Sequence, residues 1–118
     1  MFREFKAVRQ EPRGRRRLFE APEIDLFVWL DEAGVQTGFQ LIYRLKDGER
    51  ALTWRKGSGF SHSRIDSGSA GPFSKQTPIL QPDGVIPWSH VEDLFRRYAS
   101  SLDPDLRDLI LARLAARG

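Results

Sequence analysis

The chain has 118 residues, 40% of them hydrophobic and 11% aromatic, with no cysteine and a net charge of +3. This suits one domain with its own core, and it rules out a disulfide framework, a thiolate metal site and a thiol nucleophile. No apolar run nears the roughly 18 residues of a membrane helix, and the opening MFREFKAVRQEPRGRRR lacks the apolar stretch of a signal peptide, so a soluble cytoplasmic protein with no membrane partner is expected.

The charge is uneven. Residues 1–20 carry +4 and the remainder about −1, so the basic character belongs to the first segment. Residues 1–14 read as an edge strand or a mobile arm, with a turn at Glu11-Pro12-Arg13-Gly14.

Residues 15–66 read as a β-meander. Arg15 to Ala21 alternates and is broken by Pro22, which has no N–H for a ladder. Ile24 to Leu30 is apolar on both parities, as in a central strand. Asp31-Glu32-Ala33-Gly34 is a hairpin loop with Gly34 suited to the left-handed position. Val35 to Leu45 alternates, with Phe39, Leu41 and Tyr43 on one face and Gln40, Ile42 and Arg44 on the other. Gly38 inside it predicts a bulge or a close approach by another element. Asp47-Gly48 is a hairpin signal before Ala51 to Lys56, where Leu52 and Trp54 alternate with Thr53 and Arg55. After the Gly57-Ser58-Gly59 turn, Phe60, His62, Arg64 and Asp66 share one face of the next strand.

Residues 67–87 read as a loop, with a short extended piece at Pro78 to Gln81 and a turn at Pro82-Asp83-Gly84. Residues 88–118 hold two helices. Ser89 and Glu92 have capping-box spacing, and the first helix is expected to run to about Leu102 with Val91, Leu94, Phe95 and Tyr98 on its stripe. Asp103-Pro104 restarts the chain, and Leu106, Leu109, Ile110 and Leu114 stripe the second helix. Strands followed by helices predict a single α+β domain: an antiparallel meander of about four to six strands, with both helices packed on one face.

Several motifs occur together. Arg15-Arg16-Arg17, DLFVW at Asp25 to Trp29, GFQLIY at Gly38 to Tyr43, ALTW at Ala51 to Trp54, GFSHSRID at Gly59 to Asp66 and TPIL at Thr77 to Leu80 resemble a family of short bacterial proteins with a domain of unknown function. Arg44 stands where members of that family often carry an acidic residue. The resemblance implies no activity, ligand or catalytic residue.

The residues themselves offer three constellations. The first is a polar set, Gln40, Thr53, Arg55, His62, Arg64 and Asp66, expected to bind a protein or a small anionic ligand on the open face, with Tyr43 joining only across a bulge at Gly38 and Ser67 to Thr77 as a lid. The plainer reading of the His62, Arg64, Asp66 row is a solvated sheet face with an ordinary cross-strand ion pair, and it predicts a partly exposed His62. The second is Arg13, Arg15, Arg16 and Arg17 beside Phe19, which fits a phosphate backbone but equally an edge strand guarded by charge. The third is acid–base chemistry by His62 with Asp66, which residues four apart on a flat strand support poorly, at roughly 13 Å. Two histidines on separate elements do not make a zinc site, the serines beside His62 point to the opposite face, and the Gly-rich turns lack phosphate-loop spacing. The reading that results is a non-catalytic binding module with no cofactor. The runner-up is nucleic-acid binding through Arg13 to Arg17, followed by an enzyme using His62 and Asp66.

Overall fold

The computed structural model describes residues 1–5, 15–46, 48–66, 79–82 and 85–116. The expected turn at Glu11 to Gly14, the lid at Ser67 to Thr77, the turn residues Asp83 and Gly84, and the Asp66 side chain lie outside the described residues.

The strands are β1 (Arg3–Phe5), β2 (Arg15–Glu20), β3 (Ile24–Leu30), β4 (Gln36–Leu45), β5 (Gly48–Arg55), β6 (Gly59–Asp66) and β7 (Ile79–Pro82). They form one sheet in the order of the chain, β1 to β7, every neighbouring pair antiparallel. The fold is the α+β meander expected, with seven strands, because the two short outer segments both pair at the edges. The helices are α1 (Trp88–Tyr98) and α2 (Pro104–Ala116), joined through a 3₁₀ turn at Ala99–Ser101.

The tight turns set the register. Asp31 Oδ1 accepts from the Ala33 and Val35 amides, and Gly34 at φ 82° closes the loop between β3 and β4. Trp29 pairs with Gly38 and Leu30 with Gln36, so Thr37 is the extra residue of a bulge. The bulge precedes Gly38, and the alternation from Gly38 to Leu45 is unbroken. Gln40 and Tyr43 therefore face opposite sides of the sheet, so Tyr43 does not join the open-face set.

One sheet face is covered. Leu26, Leu41, Leu52 and His62 form one cross-strand row on it, and Val28, Phe39, Trp54 and Phe60 form the next. Val91, Leu94 and Phe95 of α1 and Ile110 and Leu114 of α2 complete the core. Ring contacts trace the helices across the sheet. Trp88 at the start of α1 meets Phe60 of β6, at 5.0 Å between centroids. His90 meets Tyr43 of β4, and Phe95 and Tyr98 meet Phe2 beside β1. Arg113 of α2 lies over Trp54 of β5, 4.6 Å from the ring centroid. Phe2 is held at both ends: its amide donates to the Tyr98 carbonyl at 2.9 Å, and its carbonyl accepts from Ser101 Oγ at 2.6 Å.

Two helix boundaries differ from the sequence expectation. The first helix starts at Trp88 with Pro87 at the cap position and no side-chain cap bond, and its α-helical turns end at Tyr98. Ser89 is inside the first turn, and Glu92 instead accepts from Arg96 one turn on. Leu109 is 37% exposed, and the buried line of α2 is Ile110 and Leu114. The Pro87 carbonyl accepts from the Val91 amide and the Ile86 carbonyl from the Trp88 amide, so the helix is entered one residue before Ser89.

Candidate functional site

The six polar residues predicted as one site belong to the two faces of the sheet. Gln40, Thr53 and Arg55 lie on the open face. His62 pairs with Leu52 and Arg64 with Arg50, and both belong to the covered face. The parity of β6 gives Asp66 the same side by position. Period-two alternation makes the separation complete, since the two sets are divided by the thickness of the sheet.

On the covered face His62 is 6% exposed, which corrects the expectation of a partly exposed residue. Its row was read as polar and therefore solvated, but two neighbours bury it. Leu52 fixes its side of the sheet, and Tyr43, 1% exposed, satisfies its ring: Tyr43 Oη and His62 Nε2 share a hydrogen bond, with the rings stacked at 5.9 Å. Arg50 is buried in the next row and donates to the Glu49 carbonyl at 3.2 Å. This group is part of the packing beneath α1. Its signal was in the sequence: Leu52 and Trp54 mark the apolar side of β5, and the short Gly57-Ser58 turn carries that side onto Phe60 and His62.

The basic run is also divided. Arg15 and Arg17 share the covered side, and Arg16 takes the other. Arg17 makes a two-pronged ion pair with Glu4, at 2.8 and 2.9 Å, and lies over the Phe19 ring. The Glu4 hydrogen bond holds its guanidinium charged more firmly than usual, against the opposing effect of burial. Arg13 lies outside the described residues. Alternation thus turns a basic stripe in sequence into charges on both sides of a strand.

The open face is where side chains converge without being absorbed by the core. Three rows run across its strands. The first carries Arg16, Trp29, Gly38 and Arg55; the second Leu18, Phe27, Gln40 and Thr53; the third Glu20, Asp25, Ile42 and Ala51. Leu18, Phe27, Trp29 and Ile42 are half-buried and take no part in the core cluster. Gly38 is the flat place in its row. A Cβ there would stand 2.6 Å from the Trp54 carbonyl oxygen and 3.3 Å from the Trp29 ring. Over that gap the Arg55 guanidinium lies 4.2 Å from the Trp29 ring centroid, a cation–π stack. Gln40 Nε2 donates to Thr53 Oγ1 at 2.9 Å. Asp25 titrates above the ordinary aspartate range, through partial burial and through the nearby charges of Glu20 and Glu49.

Sequence reasoning found Gln40, Thr53 and Arg55 but passed over Phe27 and Trp29, taking the two-sided apolar pattern of β3 as burial on both faces. Chemically the face offers aromatic and aliphatic surface, a stacked cation and a carboxamide–hydroxyl pair, with an open hollow at its β1–β2 edge bounded by Arg3, Phe5 and Glu20 and another beside Asp25 and Ile42. Among the described residues no three His, Cys, Asp or Glu stand together as a metal site would require, and no helix is long and apolar enough to cross a membrane. Comparison of the chain with family models, with curated proteins and with solved structures finds no match.

Proposed function

We propose that this chain is a cytoplasmic, non-catalytic binding module of the short bacterial family its motifs resemble, and that its working surface is the open sheet face. The observation that carries the reading is the placement of Phe27 and Trp29. Two large aromatic side chains of a central strand stand outside the core, on the side both helices leave uncovered. A contiguous patch of this kind, with polar groups around it, is characteristic of an interaction surface. Its polar members, the Arg55–Trp29 stack and the Gln40–Thr53 pair, are held in place by their own neighbours and are ready to contact a partner without further ordering. The surface spreads over several strands and its hollows are shallow and open, which suits a protein better than a small anion. The imidazole an enzyme would need is committed to Tyr43 beneath α1.

The reading is tested by placing a photo-cross-linking amino acid at Thr53, on the open face, and in a second chain at Ala112, exposed on α2. In cells of the source organism the Thr53 position should give a discrete adduct that is lost when Trp29→Ala is added, and the Ala112 position should give none. No adduct from Thr53, or equal adducts from both positions, would end the proposal.

A further inference from the structure

Two open hollows meet at one end of the open face, on either side of the turn at Ala21 and Pro22 that joins β2 to β3. The larger, of about 670 Å³, is walled by Met1 and Phe5, which are 67% and 47% exposed, and by Arg3 and Glu20. Neither Met1 nor Phe5 belongs to the core cluster. The smaller, of about 240 Å³, opens beside Glu23, Asp25, Ile42, Arg44 and Glu49.

The charges at this end do not balance. By register Arg3 stands opposite Glu20 and Arg44 opposite Glu49, and Glu23 is held by Arg97. Asp25 stands between Glu20 and Ile42, and among the described residues no cation lies within ion-pair distance of it. Partial burial, then the like charges of Glu20 and Glu49, raise its pKa. The fold offers this carboxylate the Ala21 amide and no positive charge.

We infer, on the reading of the open face as the working surface, that this end of it receives an extended segment of a partner protein. The segment sets an apolar side chain in the hollow of Met1 and Phe5 and a lysine or arginine against Asp25. Phe5 and Asp25 lie two strands and one row apart, a diagonal of about 12 Å from strand spacings of about 4.8 Å and a row spacing of about 7 Å. Same-side residues four apart in an extended chain are separated by about 13 Å, so the two side chains should stand about four positions apart. A cation brought to Asp25 offsets the repulsion from Glu20 and Glu49 and pairs a half-buried charge. A nucleic acid would instead bring phosphates against the same carboxylates. Asp25 therefore costs stability in the free chain and adds affinity in the complex, a trade of stability for function.

The probe is a displayed library of random peptides, selected on the immobilised full chain at low salt. Enriched peptides should carry Lys or Arg about four positions from an aromatic or long aliphatic residue. Fluorescence anisotropy with the most enriched peptide then reads the affinity. Asp25→Asn and Phe5→Ser should each weaken it at least tenfold, and Leu109→Ser, on the exposed side of α2, should leave it unchanged. Circular dichroism shows that each variant is folded. Wild-type affinity should fall as pH is lowered through the raised value of Asp25, and the Asp25→Asn chain should lose that dependence. A merely structural residue would not combine weaker binding with a higher melting temperature, as Asp25→Asn should. A library that enriches nothing, enriched peptides without a basic residue, or an affinity indifferent to Asp25→Asn overturns the inference. The Thr53 cross-link separates this failure from that of the binding module. An adduct lost in the Asp25→Asn chain supports the inference. An adduct that persists there sinks the inference and keeps the module. No adduct from the wild type sinks both.

Discussion

Gly38 marks the point where β4 and β5 approach too closely for any side chain. The atom a Cβ would meet first, at 2.6 Å, is the Trp54 carbonyl oxygen, part of the β5 backbone and unable to swing aside. Gly38→Ala should therefore destabilise the fold by about 1–3 kcal/mol, the usual cost of forcing extra volume into packed structure. A urea titration would show the loss as a lower midpoint at unchanged slope. An unchanged midpoint would mean that the two strands can part without penalty. The same change would move the ring of Trp29, whose stack with Arg55 spans this glycine, so one backbone contact underlies both the sheet and its open face.

The two helices begin in different ways, and their response to mutation should show it. Ser89 makes no cap bond, because Pro87 occupies the cap position of α1. Asp103 precedes α2, and its Oδ1 accepts from the Asp105 amide at 3.2 Å. Asp103→Ala should cost about 1 kcal/mol, the typical loss of a cap, while Ser89→Ala should stay within about 0.5 kcal/mol, as at an ordinary surface position. Thermal unfolding of the two variants side by side would check the contrast, and equal losses would contradict the helix boundaries. Elements of this kind were largely legible in the sequence. Gly34, Gly48 and Asp103-Pro104 each carry a local backbone requirement, and each sits where that requirement predicts. The candidate site was legible only in part. Residue type says that His62 is polar; it does not say that Tyr43, two strands away, will satisfy its ring under a helix. Nor does the apolar alternation of β3 say which of its two faces the helices will choose, since both carry large side chains. That choice is made by tertiary packing, and it is what separated His62 and Arg64 from Gln40, Thr53 and Arg55.

At the scale of the molecule, the carboxylates respond to acid in opposite senses. Asp25 has its pKa raised in the fold, first by burial and then by Glu20 and Glu49. The folded state thus holds its proton more tightly than the unfolded chain does. Its ionised form costs stability at neutral pH, and that cost fades as pH falls through the raised value toward the ordinary one. Glu23 behaves in the reverse way. Its pKa is lowered, chiefly by the Tyr98 hydroxyl at 2.5 Å and then by Arg97 at 2.7 Å, so its contribution is present above the ordinary value and is lost as pH falls through the lowered one. Asp25→Asn should raise the melting temperature at pH 7 and leave it nearly unchanged at pH 3. Equal effects at the two pH values would mean that the Asp25 charge carries no penalty in the fold.

The order of strands in the sheet also has a kinetic meaning. Each strand pairs with the one made just before it, so nearly all of the sheet assembles through short closures of chain, which form quickly. The tie between Phe2 and Ser101 is of another kind, joining residues 99 apart in sequence. Closing so long a span pays its entropy only once the helices are in place to reward it. The tie of Phe2 to the helices should therefore be the last contact to form and the first to release. A chain caught in that brief state would still carry its meander while offering Phe95, stripped of its Phe2 cover, to proteases and chaperones.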